Sequence, residues 1–280
     1  MKILTAVGLV LVIVSLVWQF AIFPAMDKLP ADHHKIVCFD GTYKVMNAQT
    51  RTLDEIPVIV KREQQALRVE DNVLIMNQVI SATHAESGAE LPDYGLTEEL
   101  GVERSKREYV PGYGDMDRSG LFSFPEKVEK KNYPLWIPAS ECPLEATFIG
   151  EEDFQGLKVF TFDINQQDLD IGILEAANMP QVLDISTRMK VEPVSGTTVY
   201  TTSLTTYKVI PMPDMKVAYF ISDIKFTDET MADLFDTAKS ARTQLLWAKV
   251  YGFWLGIGLG AVLTLGGVLG IILTRPKRAA

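Results

Sequence analysis

Two uncharged apolar runs stand at the ends of the chain, residues 3–26 and 250–274. Each exceeds the roughly 20 residues that a helix needs to cross a bilayer. Ahead of the second run, Met231, Leu234, Phe235, Ala238, Ala241 and Leu245 recur at helical spacing and draw one apolar stripe. Thr227 is a suitable N-cap, with Asp228 and Glu229 in the first turn. No proline interrupts 227–274, which predicts one rod of about 70 Å, amphipathic first and membrane-spanning second.

Between these ends the pattern changes to strand. Residues 34–39 and 42–46 flank Asp40-Gly41, a dipeptide suited to a two-residue hairpin turn. Strands are further expected at 56–60, 73–83, 144–149, 157–164, 184–191, 197–206 and 217–226. Residues 168–181 suggest a short helix. Residues 91–138 are the most irregular, with five prolines, and read as a long connector or a ligand-facing loop.

The predicted fold is a membrane-anchored α+β protein. A β-rich, mainly antiparallel ectodomain lies between an N-terminal and a C-terminal transmembrane helix, and the latter continues a long juxtamembrane helix. The expected divisions are a signal-anchor helix at 3–26, an extracytoplasmic domain at 27–226, a juxtamembrane helix at 227–249, a transmembrane helix at 250–274 and a basic tail at 275–280. The first run is long for a signal-peptide core and its exit is a poor cleavage site, so an uncleaved anchor is expected over a cleaved signal. Arg275, Lys277 and Arg278 place both termini in the cytoplasm under the positive-inside rule.

Charge sharpens this reading. All 36 acidic residues lie between Asp27 and Asp236, together with 20 of the 27 basic ones, so that window carries a net charge of −16. A surface that acidic repels nucleic acid, which is not expected as a partner. Gly252, Gly256 and Gly260, then Gly266 and Gly270, repeat at four-residue spacing and offer a close-packing face. Its occupant is the first span, or the same face of a second copy.

Candidate chemistry is sparse. Cys38 and Cys142 are the only cysteines. Their residue context leaves two alternatives, a disulfide worth about 4–5 kcal/mol by loop entropy or two unpaired thiols. His33 and His34 are adjacent, so on a strand they point to opposite faces and do not share a metal. No H-E-x-x-H, G-x-S-x-G, Walker loop or dinucleotide fingerprint occurs, and no catalytic, cofactor-binding or metal-ligating residue is expected. Asp115, Asp117, Ser119 and Glu126 fit the spacing of a calcium loop. Pro111, Gly112, Gly114 and Pro125 break the helices that such a loop needs, so a loop-then-strand connector is the expectation.

Several stretches together carry a resemblance. They are Phe23-Pro24 with Leu29-Pro30; Gly120-Leu121-Phe122-Ser123-Phe124-Pro125 followed by Lys130-Lys131-Asn132-Tyr133-Pro134-Leu135-Trp136; Phe148-Ile149-Gly150 with Gly156-Leu157-Lys158-Val159-Phe160; Val191-Glu192-Pro193-Val194-Ser195-Gly196; and Phe226-Thr227-Asp228-Glu229-Thr230 through Ala238-Lys239-Ser240-Ala241-Arg242-Thr243-Gln244-Leu245. In this order the chain resembles the porin PorA-like family of envelope proteins along nearly its whole length. The resemblance implies two terminal membrane helices around one external β-rich domain, and supplies no catalytic residues. The layout is also similar to that of scavenger-receptor class B proteins, in topology alone.

The family name speaks of pores, and the residue pattern speaks against a transmembrane β-barrel. Such a barrel crosses the bilayer with many strands of about 10 residues. Here the membrane-crossing residues are two uncharged helices, so a pore arises only by oligomerisation. The expected function is non-enzymatic: an extracytoplasmic domain that binds or passes lipid-like apolar ligands. The alternatives are an accessory subunit docking a partner membrane complex or self-assembling, and an oligomeric pore.

Overall fold

The computed structural model describes residues 2–23 and 28–273. The chain divides into two compact units, one made of Met1–Lys28 with Ser240–Ala280 and the other of Leu29–Lys239. Pro24, Asp27 and the basic cluster at Arg275, Lys277 and Arg278 lie outside the described residues.

The unit made of the chain ends is helical. Helix α1 (Lys2–Val17) runs into a π-helical turn at Trp18–Ile22. Helix α2 (Asp228–Leu246) passes through a second π-helical turn, Trp247–Tyr251, into α3 (Gly252–Leu273). The whole stretch Asp228–Leu273 is continuous helix, as its unbroken pattern predicts. Helices α1 and α3 pack antiparallel: Gly8 meets Gly260 and Thr264, and Ser15 meets Gly256. Their remaining surfaces are apolar and uncovered, with Val10 57 %, Leu255 63 % and Leu265 63 % exposed. Water does not tolerate so continuous an apolar surface, and lipid does.

The other unit is an antiparallel sheet of eleven strands. They are β1 (His34–Met46), β2 (Leu53–Glu70), β3 (Val73–His84), β4 (Leu96–Glu103), β5 (Tyr109–Gly114), β6 (Tyr133–Ile137), β7 (Cys142–Phe154), β8 (Leu157–Leu174), β9 (Met179–Val191), β10 (Thr198–Met212) and β11 (Met215–Phe226). Their order in the sheet is β5-β4-β3-β2-β1-β11-β10-β9-β8-β7-β6, so the first and last strands pair at its centre. The two edges are tied together through residues 120–122. Tyr109 N–H donates to the Gly120 carbonyl (3.0 Å) and Phe122 N–H to that of Arg107 (2.8 Å). On the other side, Leu121 N–H donates to Pro134 (2.7 Å) and Trp136 N–H to Leu121 (3.0 Å). The sheet thereby closes on itself and hides its edges.

The strand period of two sorts the side chains. Val37, Phe39, Val58, Val60, Phe162, Ile164, Leu183 and Ile185 form the buried face. Lys44–Glu55, Lys225–Asp40, Lys190–Glu152 and a bidentate Arg188–Asp163 pair stand on the other. Leu121, Phe124 and Val128 fold into the core beside Tyr133 and Phe162, so the irregular stretch serves as internal packing.

Two local expectations are corrected. Asp40-Gly41 is no turn, because β1 runs unbroken through it. Gly41 lies opposite Ile224 of β11, and a Cβ there would run into the Asp223 carbonyl, so the glycine permits close strand approach. Residues 168–181 form no helix. Strand β8 continues to Leu174 and β9 starts at Met179, with register shifts where Asp168 adopts φ 53°.

The start of α2 belongs with the sheet. Thr227 Oγ1 accepts the Thr230 N–H (3.2 Å), the bond expected of an N-cap. Cys38 N–H donates to Thr230 Oγ1 (3.0 Å) and Thr227 N–H to the Cys38 carbonyl (3.0 Å). Leu234 packs with Phe39 and Phe226, while Phe235 and Ala238 pack with Leu157, Val159 and Val199. The unit boundary thus falls after Lys239, within the helix.

Candidate ligand-binding site

An aromatic cleft of about 430 Å³ opens between β1, β10, β11 and the turn after β3. Tyr43, Tyr94, Tyr207, Tyr219 and Phe220 line it, with Val45, Asp93 and Gly95. Tyr94 stacks on Phe220 with centroids 5.5 Å apart and planes at 17°. Tyr43 meets both rings, at 5.2 and 5.1 Å. Burial, followed by the neighbouring tyrosines Tyr94 and Tyr207, pushes the Tyr43 phenol up to about 12. Burial, followed by Tyr219 and Glu141, does the same to Tyr207. Both phenols are therefore neutral at physiological pH. The cleft offers ring faces and hydroxyl groups at a size suited to a small ligand. A second cleft, of about 510 Å³, is lined by Glu151, Glu152, Arg188 and Lys190, whose charges are already engaged in ion pairs.

A polar ladder crosses the buried face of β2, β3 and β4. Gln64 Nε2 donates to Gln78 Oε1 (2.7 Å), and Gln78 Nε2 to Glu98 Oε2 (2.8 Å). Arg118 Nη2 donates to Glu98 Oε1 (2.8 Å) and Nη1 to Asp115 Oδ1 (2.5 Å). The three strand residues face one another directly in the register, as the period of two requires.

The residues singled out from the sequence are dispersed. Cys38 sits on β1 and Cys142 begins β7, opposite Ile137, and both are free thiols. Among the helix glycines, a Cβ at Gly260 would lie 2.8 Å from the Gly8 carbonyl oxygen, and one at Gly256 3.3 Å from Ser15 Cβ. Gly270 is buried. A Cβ at Gly252 would meet its own helix, and one at Gly266 nothing within 4 Å. Of the calcium-like loop, Asp115 is held by Arg118, Asp117 Oδ1 accepts the Gly112 N–H (2.8 Å) and Glu126 faces Arg107 (3.7 Å). No three acidic, His or Cys groups converge in metal-binding geometry among the described residues. Sequence reasoning missed the cleft tyrosines, which stand far apart in the chain. Their signal is weak: Tyr43 and Val45 continue the buried alternation of Val37 and Phe39.

None of the curated proteins compared matches the chain. The model of one family does match, over residues 2–269, a span that takes in the first apolar helix, the whole sheet and most of the second apolar helix. The chain belongs to the family described as Porin PorA.

Proposed function

We propose that this membrane protein binds lipid-like apolar ligands in its β-rich domain, as a non-enzymatic two-pass protein with cytoplasmic termini and an extracytoplasmic sheet. The aromatic cleft at Tyr43, Tyr94, Tyr207, Tyr219 and Phe220 carries the reading, since it is ring-lined and of ligand size. Trp18, Phe20, Trp247, Tyr251 and Trp254 cluster at one end of the helix pair, as side chains at a membrane–water interface do. Gly256 and Gly260 serve the close pairing of α3 with α1.

A pore formed by the sheet itself is disfavoured. Its outward face carries Lys44, Glu55, Asp163, Arg188 and Lys190. Each Arg or Lys would cost about 2–4 kcal/mol near the middle of a bilayer. That arrangement is the inverse of a transmembrane barrel, which turns its apolar side outward.

Native mass spectrometry of the full chain released from mild detergent tests the reading. Bound lipid is expected on the wild type and reduced on Tyr94→Ala/Phe220→Ala. Spectra showing protein and detergent alone would remove the lipid assignment.

A further inference from the structure

Lys35 on β1 and Arg62 on β2 both turn to the buried face. Lys35 lies opposite Gln64 and Val37 opposite Arg62, so the two cations are diagonal neighbours across one strand pair. Neither has a carboxylate partner among the described residues. The charged groups acting on Lys35 are Arg62 and Arg107, both cations, and burial followed by these two holds its ammonium down to about 8. Arg107 has Glu126, and Arg118 has Glu98 and Asp115. Lys35 and Arg62 are thus a surplus of positive charge in a place where charges are ordinarily paired.

Hydrogen-bond accounting gives the same sign. The buried side-chain atoms of the sheet unit that lack a partner are Arg62 Nε, Arg118 Nε, Trp136 Nε1 and His33 Nε2. The first three can only donate. They share a neighbour: Tyr109 packs against Trp136 at 5.9 Å, and both Arg62 and Arg118 act on its phenol electrostatically. Arg118 lies over the Trp136 ring at 5.8 Å, and Arg62 over Phe39 at 5.6 Å. Glu98 also acts on this phenol, but its two oxygens are taken by Arg118 and Gln78, so what Lys35 and Arg62 lack is an acceptor bearing negative charge of their own. Water supplies acceptors but no charge, so it satisfies only half of the account.

We infer that Lys35 and Arg62, with the unpartnered donors around Tyr109, form an internal site for an oxyanion, a phosphate or carboxylate group. The group is either free or the head of an acidic lipid. This inference does not rest on the aromatic cleft, since inorganic phosphate alone satisfies it and a neutral lipid in the cleft leaves it untouched.

The test is thermal unfolding of the full chain in a neutral detergent. The probes are inorganic phosphate, phosphatidylglycerol and phosphatidylcholine, each set against sodium chloride of equal ionic strength. Phosphate or phosphatidylglycerol at about a hundredfold excess over Kd is expected to raise Tm by about 5–10 °C. A response to phosphate marks a free oxyanion, and a response to phosphatidylglycerol but not phosphatidylcholine marks a lipid head. Lys35→Met/Arg62→Met is expected to lose the response while unfolding, without anion, no lower than the wild type. Three results would overturn the inference: no rise above the salt control, an undiminished rise in the double variant, or a double variant that unfolds earlier or fails to fold.

Discussion

The Trp18 indole N–H donates a 3.0 Å hydrogen bond to the Ala248 carbonyl, across 230 positions of sequence. Both residues sit in π-helical turns, where a wider backbone frees carbonyls from the usual ladder. Trp18→Phe keeps an aromatic ring and removes the donor. Interhelical hydrogen bonds in membranes average about 0.6 kcal/mol, with a maximum near 1.7. A fall in detergent Tm of a few degrees is expected, and an unchanged Tm would show that the bond contributes nothing.

Gly260→Leu and Gly266→Leu separate two glycines of the same repeat. The first forces side-chain atoms into the Gly8 carbonyl and Val12, and the second points into open space. Overpacking costs about 1–3 kcal/mol, so the pairing of α1 with α3 weakens only in the first. Thermal unfolding of the two variants in detergent reads this directly. Equal midpoints in the two variants would count against glycine-dependent approach.

Gly41→Ala strains the seam between the first and last strands, where its Cβ meets the Asp223 carbonyl. Gly150→Ala is the control, with nothing within 4 Å of its Cβ. The seam variant is expected to lose about 1–3 kcal/mol in urea unfolding and the control less than about 0.5. Similar midpoints for the two would mean the strands shift apart at little cost.

Lys35 gives a pH signature. Its folded pKa is about 8 against an ordinary 10.5, so the unfolded chain holds the proton more tightly. Stability must therefore rise with pH between about 8 and 10.5. Arg62, Arg107 and His33 are the basic groups around it. Burial, followed by Lys35, lowers His33 below the ordinary imidazole range, so it is neutral here, and the arginines stay charged throughout this window. The Tyr43 and Tyr207 phenols, raised to about 12 by burial, act in the opposite direction and cost stability only above about pH 10. Sign decides this: the folded state keeps their protons longer, so stability falls as pH climbs through the ordinary phenol range. The measurement belongs between pH 8 and 9.5, below that range and in the absence of phosphate. Lys35→Met should flatten the slope, and a wild type with no slope contradicts the burial of this ammonium.

Much of the architecture was legible because it is local or one-dimensional. Two uncharged runs announce two helices, and Thr227, Asp228 and Glu229 announce where the long one starts. Alternation in residues 184–191 and 197–206 announces β9 and β10. The failures have a common cause. Asp40-Gly41 has turn composition, yet its glycine answers a neighbour 182 residues away, which no local window contains. The true two-residue turn after β2 is Asp71-Asn72, both with positive φ (45° and 69°), and it has no glycine to mark it. The closure through residues 120–122 joins strands that lie on either side of an irregular loop, so nothing periodic marks it. The cation pair left a readable trace: Lys35 is in phase with Val37 and Phe39, and Arg62 with Val58 and Val60. A charge on the apolar phase of a strand asks for a partner, and neither neighbouring strand supplies one.

The seam between β1 and β11 also bears on how the protein is made. Hairpins such as β2–β3 and β7–β8 can assemble as soon as they leave the ribosome. Strand β1 must wait for its partner through most of translation, roughly ten to forty seconds at ordinary synthesis rates. Until then the nascent chain exposes two unpaired strands at its growing flanks, which makes the emergence of β11 the moment at which escape from aggregation begins.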